Sequence, residues 1–183
     1  MPAMPTAPKD PPQTRQNSAP SFSSDPPQFH VAIHNRQRTW PLDVTQVREW
    51  TKRILTMQRC APVEVSLLFV NDRAIRRLNR DYRQKDRPTN VLAFALRDGE
   101  DQRHHATPER KHLGDVVISL ETTTREAVAY SRRTDEHLLT LLIHGLLHLL
   151  GYDHERADAE RRRMERRERL LFQALWTTGA AGS

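Results

Sequence analysis

The sequence predicts an α+β fold, a small mixed β-sheet of about four strands packed with about five helices. Three observations carry that expectation. Apolar residues alternate with period two in some stretches and recur at helical spacing in others. Two strand-like stretches, near 91–96 and 115–119, follow one another without a helical pattern between them. The stretch 138–150 carries Leu or Ile on nearly every side, as a helix buried at the centre of such a fold does.

The elements follow in order. Phe29, Val31 and Ile33 alternate with His30, Ala32 and His34, a half-buried strand. Asp43 followed by Gln46 is a capping-box start, and Val44, Val47, Trp50, Ile54, Leu55 and Met57 then mark an amphipathic helix. Val63 to Val70 is apolar on much of both faces and reads as a central strand. Asn71 caps a helix carrying Ile75 and Leu78. Val91 to Leu96 and Asp115 to Ser119 are two further strands, and Ser119 starts a helix reaching about Tyr130. The buried helix follows. The last helix, from about Ala157 to Trp176, is densely charged, with Met164, Leu171 and Leu175 on its apolar side.

Before Phe29 the composition changes. Residues 1–28 hold eight of the twelve prolines and carry no net charge. Such a stretch has too little apolar surface to offset its ordering entropy, so a disordered tail is expected there. Its two acidic residues and many prolines argue against an Arg-rich transit peptide. The expected division is a tail over 1–28, one domain over 29–176 and a flexible end over 177–183, since 183 residues suit a single domain. No apolar run approaches the ~18–20 residues of a membrane span. The single cysteine, Cys60, excludes an intramolecular disulfide framework and a Cys-based zinc finger. With no apolar secretory segment at the start, the reducing cytoplasm is the expected location.

The strongest chemical signal is His144-Gly145-Leu146-Leu147-His148-Leu149-Leu150-Gly151-Tyr152-Asp153-His154. His144 and His148 stand i and i+4 on the buried helix, so both imidazoles project from one face. Gly151 ends the helix at low cost by turning left-handed, and His154 can then return to the same point. Nine histidines in 183 residues give this spacing by chance roughly 2% of the time, so a metal ligand set is the better reading than core histidine. Three imidazoles suit Zn²⁺ or another divalent transition metal, and three protein ligands leave a coordination position open, as catalytic sites do. The spacing equals that of the metzincin proteases. Their general base is a Glu directly after the first His, however, and here that residue is Gly145, which cannot move a proton. The expected feature is a metzincin-like metal site on a buried helix without the proteolytic base.

Three blocks, in order across about 78–154, carry a resemblance: Leu78-Asn79-Arg80-Asp81-Tyr82-Arg83-Gln84-Lys85-Asp86-Arg87-Pro88-Thr89-Asn90-Val91-Leu92-Ala93-Phe94, then Leu113-Gly114-Asp115-Val116-Val117-Ile118-Ser119, then the histidine string. Together they resemble the YbeY family of bacterial rRNA maturation factors. Ala93 stands where that family usually has Ser and Ala95 where Pro is common, which implies altered local packing. The resemblance implies a single-strand-specific, metal-dependent endoribonuclease acting in 16S rRNA 3′-end maturation and ribosome quality control. It implies the small ribosomal subunit and a ribosome-associated GTPase as partners, with neither DNA nor membrane. It also implies that Arg83 is functionally essential.

Charge fits a polyanion partner. There are 29 Lys+Arg against 23 Asp+Glu, a net +6, and all but four of the basic residues are Arg, whose planar fork suits phosphate. Residues 71–90 and 36–59 each carry +4, whereas 121–154 carries −2. An RNA path with a basic rim and a less basic floor is therefore expected. Arg83 and Lys85, with Arg80 and Arg87, are the candidate RNA contacts, and Arg83 and His144 the candidate catalytic residues. On the last helix, pairs such as Asp158–Arg162 and Glu165–Arg169 suggest a self-paired, solvated face. Tyr82 could stack a base or pack against the second strand. His104, His105 and His112 read as surface histidines in a polar loop, and Asp153 as a candidate to orient a metal ligand. The rival reading is a non-catalytic, metal-stabilised rRNA-binding assembly factor; a metalloprotease would need a base at 145.

Overall fold

The computed structural model describes residues 29–96, 111–152 and 157–179. Its elements are β1 (His30–Asn35), α1 (Val44–Met57), β2 (Val63–Val70), α2 (Asp72–Arg83), β3 (Val91–Ala95), β4 (Lys111–Ser119), α3 (Leu120–Ala129), α4 (Thr134–Leu149) and α5 (Asp158–Gly179). The four strands form one sheet in the order β1-β2-β4-β3. β1, β2 and β4 run parallel, and β3 pairs antiparallel with β4, so the sheet is mixed.

The caps read from the sequence form as hydrogen bonds. Asp43 accepts from the Gln46 amide at 2.9 Å, Asn71 from that of Ala74 at 3.0 Å and Ser119 from that of Thr122 at 3.3 Å. Each satisfies an otherwise orphaned donor in the first turn. Alternation along the strands splits the core in two. Val116 and Ile118 of β4 face a large cluster in which α1, α4 and α5 meet, while Val117 faces a small one with Val70, Ile75 and Leu92 under α2. Met164, Leu171 and Leu175 of α5 are buried in the large cluster. The central placement expected for Val63–Val70 holds, with β1 on one side of it and β4 on the other.

Boundaries differ in three places. α4 starts at Thr134 rather than at the first leucine, its first turn being polar: Arg133 at the N-cap makes no side-chain bond to a backbone amide and instead grips the Asp135 carboxylate at 2.7 Å. β4 starts at Lys111, since Leu113-Gly114 is a bulge inside the strand and not a break before it: the step from Glu64 to Ser66 on β2 faces the step from His112 to Asp115. His112, expected on the surface, is consequently buried. α5 continues through Gly179, past the expected end at Trp176. Its ion pairs are also offset from those expected: Arg161 binds Asp158 at 2.8 Å and approaches Glu165 at 3.9 Å. The tail 1–28, His104, His105, Asp153 and His154 lie outside the described residues. Among the described residues no helix is long and apolar enough to cross a membrane.

Candidate functional site

α4 places two imidazoles together because 3.6 residues per turn stacks i over i+4. His144 Nε2 and His148 Nε2 lie 3.1 Å apart, with ring centroids at 4.6 Å and planes inclined at 76°. On the other side of the ring, His144 Nδ1 meets Glu168 Oε1 of α5 at 2.7 Å. A carboxylate only accepts, so His144 Nδ1 donates in that contact, and Nε2 is the nitrogen turned toward His148. A tetrahedral ion with bonds of ~2.0–2.1 Å separates its nitrogen ligands by roughly 3.3 Å. The observed spacing fits that edge, and the carboxylate behind His144 fits the usual orienting partner of a metal-bound imidazole. His144 is 32% exposed and Glu168 26%, so the pair is reachable from solvent. Among the described residues no group of three possible ligands converges; the third expected one, His154, falls in the undescribed segment 153–156.

Two glycines shape this end of α4. A Cβ at Gly145 would sit 2.6 Å from Val116 Cγ1 and 3.3 Å from Val91 Cγ2, so the residue after the first histidine presses against the sheet. Any side chain there, a glutamate included, requires Val116 or the helix to shift. After Leu149 the chain leaves the helix through Gly151 at φ +87°, with Tyr152 N donating to Leu147 O at 3.1 Å and Gly151 N to His148 O at 3.0 Å. This is a Schellman stop, which satisfies carbonyls of the last turn and ends the helix at Gly151.

A second feature is a cleft of about 260 Å³ lined by Asn79, Arg83, Lys85, Arg87, Asn90 and Glu126 among others. It thus gathers Arg83, Lys85 and Arg87. Arg80 is not among its lining residues and instead pairs with its neighbour Asp81 at 3.0 Å. The walls are braced. Asn79, 2% exposed, donates to Arg87 O at 2.8 Å and so fixes the turn carrying the cations. Asp72 ties α2 to α3, accepting from Ser119 and Thr122 hydroxyls and from Arg125 at 3.0 Å. Burial acts to raise the Asp72 carboxyl, but these three hydrogen bonds and the Arg125 charge outweigh it and hold the group below the ordinary carboxylate range.

Glu126, on the cleft wall, was not a site candidate by sequence. Its Oε2 accepts from Asn90 Nδ2 at 2.9 Å and meets His137 Nε2 at 2.9 Å. His137 is buried on α4, seven residues before His144 and therefore about 10 Å away along the axis. Neither His144 nor His148 lines the cleft, so the imidazole pair and the gathered cations are two separate features served by one helix. Glu168 was missed too, being one of several charges on α5 that sequence reading assigns to a solvated face. Tyr82 is 69% exposed and meets Phe94 edge-on, ring centroids 5.1 Å apart, rather than packing under the second strand.

Comparison with known proteins gives a consistent result. The profile of a family described as endoribonuclease YbeY matches residues 32–176. A protein named endoribonuclease YbeY from Syntrophotalea carbinolica is 46% identical over 143 residues, covering 78% of this chain and 93% of that protein. A protein of the same name from Geobacter metallireducens is 44% identical over 150 residues, covering 81% and 97%. The solution structure of TM1509 from Thermotoga maritima superposes with a TM-score of 0.56 at 23% identity, over 84% of this chain and 93% of that one, a likeness of fold.

Proposed function

Because this chain belongs to the endoribonuclease YbeY family, we propose that it is a metal-dependent endoribonuclease of single-stranded RNA. Its task would be 16S rRNA 3′-end maturation and ribosome quality control. The observation that carries the reading is the convergence of His144 and His148 with Glu168 behind them. His154 completes the ligand set in this proposal, and the all-nitrogen donors favour Zn²⁺ over Mg²⁺ or Ca²⁺. A divalent ion held there supplies Lewis-acid stabilisation of charge developing on a phosphoryl group.

The chain's own residues do the rest. Glu168 holds the His144 ring in one tautomer and one orientation. Arg83, Lys85 and Arg87 hold the phosphodiester backbone in the braced cleft, and Arg83 acts by positioning the strand from there. Gly145 supplies no base of the protease kind, so peptide hydrolysis by that route is out. The partners proposed are rRNA, the small ribosomal subunit and a ribosome-associated GTPase, in the cytoplasm. The family's enzyme names do not favour the assembly-factor reading.

The test pairs His148→Ala with Arg83→Ala, each checked for folding, on a single-stranded rRNA substrate with contaminating nucleases removed. His148→Ala is expected to bind RNA without cutting it, and Arg83→Ala to lose binding and cleavage together. Folded variants that both cut at the wild-type rate would refute the proposal. Product ends report the nucleophile: attack by the substrate's own 2′-OH leaves a 2′,3′-cyclic phosphate, and attack by water does not.

A further inference from the structure

A carboxylate is out of place in a cleft built for phosphate. Arg83, Lys85, Arg87 and Arg125 line it, and like charge would repel a phosphodiester from Glu126, yet Glu126 is fixed there by two donors on one oxygen. One of those donors is His137, whose ring is 7% exposed, and whose buried Nδ1 has no hydrogen-bond partner. The fold therefore commits a buried imidazole to aiming this side chain, and leaves one of its nitrogens unsatisfied in doing so. With Oε2 occupied by Asn90 and His137, Oε1 makes no hydrogen bond among the described residues, while the side chain remains 29% exposed on the cleft wall.

Within a few ångströms of a bound phosphodiester, the group on RNA that such an oxygen suits is a hydroxyl donor. Phosphate oxygens accept only, and the ribose 2′-OH is the donor every nucleotide carries whatever its base. We propose that Glu126, positioned by His137 and Asn90, accepts a hydrogen bond from a ribose 2′-OH and makes the cleft selective for RNA over DNA. The inference rests on the reading of the cleft as an RNA site and adds the group that reads the sugar. A carboxylate acceptor is stronger than a neutral one, and an ionised group left without its donor loses more than a neutral one does. The selectivity is thus independent of base sequence, as suits a cleft whose other contacts are to backbone.

Equilibrium binding of the full-length protein to three single strands of one sequence tests this, with RNA integrity checked on a gel. One strand is RNA, one is its 2′-fluoro analogue and one is DNA. The fluoro strand keeps an RNA-like sugar pucker and removes the donor hydrogen. Wild type is expected to bind RNA about tenfold more tightly than either other strand, the size of one charged hydrogen bond. Glu126→Gln puts an amide where the acceptor stood and is expected to lose most of that ratio while binding the fluoro strand and DNA at least as well as wild type. A folded Glu126→Gln that keeps the full ratio overturns the proposal, as does a wild type that binds all three equally. If Glu126→Gln does not fold, single 2′-fluoro substitutions scanned along the RNA decide on wild type alone: one position costing about tenfold supports the proposal, and small uniform losses overturn it. A wild type that discriminates but never cuts would sink the nuclease reading and leave this one standing.

Discussion

Helices α4 and α5 contribute to the same imidazole site from opposite chemical backgrounds. α4 is apolar on nearly every side, with ten of its residues buried. α5 is charged over most of its surface and buries Met164, Leu171 and Leu175. His144 and His148 stand out on α4 because their i,i+4 spacing puts two imidazoles on one half-buried face of an otherwise apolar stretch. A glutamate on α5 is hidden among other acids. Glu160 and Glu165 approach arginines on the same helix, whereas Glu168 reaches across to His144. The two carboxylate types are alike in sequence and differ only in what tertiary packing sets opposite them. Function shows in a sequence in proportion to how unusual its residue is for the surroundings.

If that contrast is right, substitutions should rank by tertiary contact and not by helix. The largest effect is expected for His148→Ala on α4. Equilibrium dialysis should show divalent metal affinity falling by more than 100-fold, beyond what loss of an orienting partner alone costs. Glu168→Gln on α5 should come next, lowering metal affinity 10–100-fold with the fold intact; an affinity within twofold of wild type would return Glu168 to the solvated face. Gly145→Ala should destabilise by about 1–3 kcal/mol in denaturant unfolding, because the added methyl meets Val116 at 2.6 Å. The smallest effect is expected for Arg161→Ala on α5. Its contacts to Asp158 and Glu165 are exposed, and thermal unfolding should register less than about 0.5 kcal/mol.

The same rule explains which parts of the fold were legible. Strands and helices followed from period, and Asp43, Asn71 and Ser119 marked their helix starts because side-chain capping is a local event. The start of α4 was not legible, because Arg133 is not a capping residue type and the first turn is polar. The start of β4 was hidden because a glycine in a bulge looks like a glycine in a loop. Among the candidate residues, local spacing singled out His144 and His148, and the block resembling the family, within a stretch of clustered charge, singled out Arg83 and Lys85. Glu168 and Glu126 were silent, since each is defined by a partner far away in the chain, His144 for Glu168 and Asn90 for Glu126; His137 gains its role only through Glu126 on the preceding helix. Arg80 is the converse, a cation in the right block whose recorded partner is the adjacent Asp81.

The antiparallel pairing of β3 with β4 has a consequence for how this protein can change over evolutionary time. Gly145 packs against Val91 and Val116, near the Asn90 end of β3, while the hairpin closes at the other end through Leu96 N to Leu113 O at 3.0 Å. Five strand residues at ~3.3 Å each hold the two ends some 16 Å apart. Residues 97–110 join the strands beyond that closing bond. Doubling the length of such a connection costs only about 0.6 kcal/mol in closure entropy. Insertions and deletions there should accumulate freely between relatives, whereas a single added methyl at position 145 should not.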